Sequence, residues 1–138
     1  MLKFSKINIL ITTLLSIIVI FFTISNFTEF DDEFVNKFIK SKGALADADT
    51  FTFTCTKNKG EIILGYSSIN SNRISISVNC NCDNDIEPIA FSAKYLKEIL
   101  TANKGSNKSS LKISSKGLAH VGFEDGDYIS NYYLVEIK

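Results

Sequence analysis

The chain is short of the residues on which most active sites are built. Its 138 residues include one histidine, one methionine, one proline and no tryptophan. With His120 alone, no histidine cluster is available to ligate a metal or to activate a nucleophile, and a single histidine in a strand-like segment reads as structural or surface. Net charge is missing too: 15 Lys+Arg balance 15 Asp+Glu. Bulk electrostatics therefore points to no nucleic-acid partner, and any such signal must come from local placement. Cysteine is scarce and odd in number, with Cys55, Cys80 and Cys82. A disulfide framework needs more pairs, and Cys80-Asn81-Cys82 is tighter than a zinc knuckle, so the cysteines read as reduced residues on or beside a strand. No phosphate-cradling glycine loop, paired catalytic carboxylates or nucleophile elbow is present. Glu124, Asp125 and Asp127 lack the alternating ligands and closing glutamate of a calcium loop, and read as a polar turn around Gly126. Asn26-Phe27-Thr28 and Asn107-Lys108-Ser109 fit the glycosylation pattern, which is short and often fortuitous. Every enzyme signature fails together, so the expectation is a protein without catalysis, cofactor or metal.

What is present begins with an apolar run. Ile7 to Ile24 carries no charge, with Lys3 and Lys6 before it and Asp31, Asp32 and Glu33 after it. As a helix it would span about 27 Å, marginally enough for a hydrocarbon core. Lysines on the N-terminal side favour an N-terminus on the inside, and Thr23-Ile24-Ser25-Asn26 is a poor cleavage site. Residues 1–25 are therefore read as an apolar N-terminal helix. It is an uncleaved membrane anchor, a signal peptide or a leader foreign to the functional protein. The remaining 26–138 has room for one domain.

That domain reads as one unit written twice, 26–85 and 86–138. Phe30-Asp31-Asp32-Glu33-Phe34-Val35 and Phe91-Ser92-Ala93-Lys94-Tyr95-Leu96 share a pattern: a strand-ending aromatic residue, a capping side chain and then an amphipathic run. Asp31 and Ser92 are positioned to accept from the free amides of the first turn. Phe34, Val35, Phe38 and Ile39 form one apolar stripe, and Tyr95, Leu96, Ile99 and Leu100 the other. Gly43 and Gly105 are the expected stops. Alternating segments follow each helix: Phe51 to Cys55, Glu61 to Tyr66 and Arg73 to Asn79, then Leu111 to Ser114, Leu118 to Phe123 and Ile129 to Ile137. Turns fall at Lys57-Asn58-Lys59-Gly60 and Lys116-Gly117. Apolar helix stripes must bury against a sheet, so the expected fold class is α+β, with two helices side by side on about eight mostly antiparallel strands.

Ile89-Ala90-Phe91-Ser92-Ala93-Lys94-Tyr95-Leu96-Lys97-Glu98-Ile99-Leu100 resembles the last-domain helix of DNA sliding clamps, the polymerase processivity factors. Leu111 to Gly117, Ala119-His120 and Tyr132-Tyr133-Leu134-Val135-Glu136 are similar to the C-terminal end of clamps from T-even-like bacteriophages. The resemblance runs from about Thr28 to Lys138. It implies a clamp fold whose domains close a ring around duplex DNA, helices inside and sheets outside. It also implies a clamp loader, a DNA polymerase and other clamp domains as partners, in the cytoplasm of a cell or of a phage host. This chain holds one such domain, so a ring needs further copies or a partner that supplies the rest. If the N-terminal run is an anchor, the alternative is a single-pass, membrane-anchored interaction domain with no DNA role and residues 7–24 in the membrane.

The lysines give the clamp resemblance its local test. Lys94, Lys97 and Lys104 share one helical face by spacing, as do Lys37 and Lys40, with Lys42 at the end of the first helix and Lys108 just past the second. Cations are also ordinary on solvated helix faces and near helix C-termini. On the clamp resemblance these seven lysines face DNA, where phosphate contacts attract without reading sequence. The last strand, with Tyr132, Tyr133, Leu134, Val135 and Ile137, is the candidate subunit or partner interface.

Overall fold

The computed structural model describes residues 26–66 and 72–138. The Ile7 to Ile24 run, and with it the anchor or leader reading, lies outside the described residues. Among those described, no helix is long and apolar enough to cross a membrane. The first unit comprises β1 (Asn26–Glu29), α1 (Asp32–Ala44), β2 (Thr50–Thr56), β3 (Lys59–Leu64) and β4 (Ile74–Asn79). The second comprises β5 (Ile86–Ser92), α2 (Ala93–Ala102), β6 (Lys108–Ser114), β7 (Leu118–Asp125) and β8 (Tyr128–Val135). The fold is α+β, a clamp-like arrangement of two helices with antiparallel sheets.

The strands form two four-stranded sheets, ordered β1-β6-β7-β8 and β4-β3-β2-β5. Each unit thus lends its first strand to the other. β1 pairs antiparallel with β6 (Thr28 opposite Leu111), and β5 pairs antiparallel with β2 (Phe91 opposite Phe51). The exchange stitches the units together through backbone hydrogen bonds. The chain end adds a further link, where the Ile137 amide donates to the Ala90 carbonyl of β5 at 2.9 Å.

Both helices start as the sequence predicts. Asp31 Oδ1 accepts from the Phe34 amide at 2.9 Å, and Ser92 Oγ accepts from the Tyr95 amide at 3.2 Å. Each satisfies one of the amides that a first turn leaves without an intrahelical partner. Asp32 and Glu33 add negative charge to the first turn of α1, while α2 has no acidic residue there. The helices pack on each other, with α1 over β4 and α2 over β2.

A chain of aromatic rings runs through the core. Phe123 of β7 meets Phe30 edge-on at 6.0 Å, Phe30 lies 5.2 Å from Phe34, and Phe34 lies 6.2 Å from Phe38. Phe38 then meets Phe51 edge-on at 5.7 Å, and Phe51 stacks on Phe91 at 5.6 Å. These contacts join one sheet to the other through α1, so a single core serves both units.

Local differences from the sequence reading have plain causes. Gly43 does not stop α1, which runs on to Ala44 and is capped by the Leu45 amide donating to the Ser41 carbonyl. Gly43 is exposed with open space around it, so continuing the helix meets no obstacle. Tyr95 is 57% exposed and leaves the apolar stripe of α2, which is built on Ala93, Leu96 and Leu100 with Ile99 half-buried. The hairpin between β2 and β3 is tighter than the four-residue signal suggests. Thr56 pairs with Lys59, and the two turn residues, Lys57 and Asn58, adopt φ of 51° and 63°. Two central residues at positive φ match the right-handed twist of flanking strands. The cysteines are not all reduced: a disulfide joins Cys55 to Cys82, and Cys80 keeps a free, buried thiol. Sequence spacing could not pair Cys55 with a residue 27 positions away, because sheet register brings them together.

Candidate nucleic-acid interface

The helix pair displays the lysines because its apolar stripes face the core. On α1, Phe34, Val35 and Phe38 are buried, which leaves Lys37 and Lys40 exposed. Lys42 is half-buried, its Nζ donating to the Ala46 carbonyl at 2.7 Å, so that ammonium closes the turn after the helix. On α2, Lys94 is exposed and Lys97 is half-buried. Lys104 and Lys108 are exposed but off the helix. α2 ends at Ala102, Lys104 lies in the following turn, and Lys108 begins β6. The seven lysines thus divide into four helical side chains free of an assigned backbone role, one helix-end tether and two flanking residues.

Acidic neighbours temper part of this face. Lys37 lines a groove between the start of α1 and β4 together with Glu29, Asp31 and Glu33. Lys40, Lys94 and Lys97 lie outside that groove's lining, which makes them the stronger candidates for phosphate. Asn103, at the C-terminal end of α2, donates through Nδ2 to the Ile99 carbonyl at 2.8 Å and to Tyr132 Oη at 3.1 Å. It fixes the end of that helix to β8. No feature of the local sequence signalled this tie, which depends on a residue 29 positions away.

β8 is an edge strand of the first sheet. Its alternation divides the five interface candidates. Leu134 is buried, and Tyr132 is half-buried against Phe123 at 6.0 Å. Tyr133 at 51%, Val135 at 71% and Ile137 at 47% face outward. Tyr128, also exposed, begins the strand on the face of Tyr132 and Leu134, while Ile129 extends this exposed apolar row toward the preceding turn. His120 of β7 lies beneath it, its Nε2 2.7 Å from Asn131 Oδ1 and its ring 5.1 Å from that of Tyr133. It is half-buried on the sheet surface.

The fold is that of the DNA sliding clamps. Among solved structures the chain is similar to the proliferating cellular nuclear antigen of Entamoeba histolytica, with a TM-score of 0.61 and 15% identity over 83% of this chain and 45% of that one. It is also similar to the DNA polymerase III subunit beta of Pseudomonas aeruginosa, with a TM-score of 0.58 and 15% identity over 82% of this chain and 31% of that one. The H. pylori beta clamp in complex with diflunisal gives a TM-score of 0.55 and 18% identity, over 83% and 31%. The chain therefore spans less than half the length of these structures. No protein-family model matches it, nor does any curated protein.

Proposed function

We propose that residues 26–138 act as a sliding-clamp module in DNA replication, a C-terminal-type domain that helps to encircle duplex DNA without reading its sequence. The observation that carries this reading is the pair of packed, lysine-bearing helices on a clamp fold whose two halves exchange strands. Its work is mechanical and involves no catalysis. Lys37, Lys40, Lys94 and Lys97 on the helices, with Lys42, Lys104 and Lys108 beside them, attract phosphates, while the sheets form the outer wall. The exposed row on β8 pairs with a neighbouring clamp domain, since an unpaired strand edge is a ready template for further pairing. Further copies or a partner chain complete the ring, a clamp loader opens it, and a DNA polymerase travels with it in the cytoplasm. The finer likeness to T-even-like phage clamps rests on sequence motifs alone.

The test is retention on DNA. Assembled with its ring partners, the chain should stay on circular duplex and leave when the circle is cut. A Lys40→Glu, Lys94→Glu, Lys97→Glu variant should lose retention. Any residual equilibrium binding should show a weaker salt dependence, its log–log slope falling by about 0.9 for each phosphate contact removed. Binding that ignores both cutting and charge reversal would rule the reading out.

One observation favours the alternative, a membrane-anchored interaction domain facing away from the cytoplasm. Disulfides such as Cys55–Cys82 persist mainly in oxidising compartments. A topology reporter fused after Lys138 decides between them: an extracytoplasmic signal excludes replication, and a cytoplasmic one excludes the alternative.

A further inference from the structure

The three cysteines converge on one point. Cys55 lies on β2, where the pairing with β5 shifts register between Phe53 and Cys55. Such an irregularity re-aims side chains. Cys80 and Cys82 follow β4. Cys80 Sγ lies 3.0 Å from Cys55 Sγ and 3.0 Å from Cys82 Sγ, and Cys55 and Cys82 share the disulfide. All three sulfurs fall within 4.8 Å of one another, with Cys55 and Cys80 buried and Cys82 half-buried.

The backbone around them is held from two sides. The Cys82 amide donates to Asn58 Oδ1 at 3.0 Å, and the Lys57 amide donates to Asp85 Oδ1 at 2.9 Å, so the tight β2–β3 turn grips the segment carrying Cys80 and Cys82. Gly60, opposite Cys55 in the ladder, leaves the space that the third sulfur occupies. A Cβ there would lie 2.9 Å from Cys80 Sγ and 2.7 Å from Val78 Cγ2.

A purely structural disulfide needs two cysteines and gives the third nothing to do. Disulfide exchange needs the attacking sulfur in line with the bond it breaks, whereas Cys80 is equidistant from both sulfurs. A triangle of sulfurs is instead the donor set of a soft, thiophilic cation, for which thiolate ligands are selective. We propose that the reduced protein binds one thiophilic d10 cation, Cu(I) in kind, in a trigonal site formed by Cys55, Cys80 and Cys82. A dithiol reductant supplies two electrons and two protons to the Cys55–Cys82 bond and is itself oxidised to a disulfide, leaving three thiols. The cation then binds the three sulfurs as thiolates, and their protons go to solvent. With metal–sulfur bonds of about 2.3 Å, the sulfurs of a trigonal site stand about 4 Å apart. The two Cys80 edges of the triangle, now 3.0 Å, open by about 1 Å, and the Cys55–Cys82 edge opens to the same length once the disulfide is cut. Burial keeps water from competing for the cation. The proposal does not depend on the clamp reading.

The experiment uses the full chain in detergent, reduced with excess dithiol, freed of small thiols without oxygen and titrated with Cu(I) against a chromophoric chelator. The expected result is one Cu(I) per chain, with all three cysteines protected from alkylation as read by mass spectrometry. Cys80→Ser is the deciding variant. It retains the Cys55–Cys82 disulfide, so its fold is checked in the oxidised state by its near-ultraviolet dichroism, and its Cu(I) affinity should fall at least about tenfold after reduction. Wild-type affinity in Cys80→Ser, alkylation of Cys80 undiminished by Cu(I), or no binding by the reduced wild type would each overturn the proposal.

Discussion

Truncating Phe38 to alanine should weaken the whole domain rather than one helix. Phe38 is completely buried, and its ring sits between Phe34 at 6.2 Å and Phe51 at 5.7 Å. It is the link through which α1 connects the Phe30–Phe123 contact of one sheet with the Phe51–Phe91 stack of the other. Removing a buried phenylalanine ring forfeits its transfer free energy and leaves a cavity, together costing about 3–5 kcal/mol. The edge-on contact with Phe51 accounts for about 0.5–1.5 kcal/mol beyond area alone. A domain of this size is stable by about 5–15 kcal/mol, so the loss is a large fraction of the total. The assay is urea unfolding followed by tyrosine fluorescence and far-ultraviolet dichroism. The midpoint should fall while the slope and the coincidence of the two probes persist, because both units share the core. Tyr128→Ala, at a residue 81% exposed, is the control and should shift stability by less than about 0.5 kcal/mol. A loss below about 1 kcal/mol for Phe38→Ala, judged against the range for buried rings, would refute the linking role, as would separate transitions for the two probes.

Two further substitutions examine the framework. Asp31→Ala and Ser92→Ala should each cost about 1 kcal/mol in the same unfolding assay, and a smaller loss for Asp31→Asn than for Asp31→Ala would identify hydrogen bonding to the Phe34 amide as the main cause. Gly60→Ala places a Cβ against Val78 Cγ2 at 2.7 Å and Cys80 Sγ at 2.9 Å, so it should destabilise by about 1–3 kcal/mol, read by thermal melting; an unchanged melt would mean that β4 moves away freely.

The candidate site was only partly legible in advance, and the misses share a cause. Helical spacing placed Lys37, Lys40 and Lys94 on exposed faces, because period alone decides which side chains lie off a buried stripe, whereas Lys97 flanks the stripe of α2 and is half-buried. The same spacing placed Tyr95 in the stripe of α2, but the core there is filled by Ala93, Leu96 and Leu100, and Tyr95 remains outside. Alternation located β8 but grouped Tyr132 and Leu134 with Tyr133 and Val135, since membership of a strand says nothing of which face is covered until the partner elements are known. The groove that sets Glu29, Asp31 and Glu33 beside Lys37 spans an α1–β4 junction that no local pattern announces.

The sequence by itself determined the local elements and their order along the chain. Caps at Asp31 and Ser92, helices of period 3.6 and strands of period two are local preferences, set by short-range hydrogen bonding and by where apolar side chains recur. Tertiary structure decided how the two copies combine. Exchange of β1 and β5 between sheets depends on register between distant strands, which no local preference specifies. The meeting of Cys55 with Cys80 and Cys82 follows from the same long-range pairing, since a sulfur position is fixed by the strand opposite it and not by its neighbours in the chain.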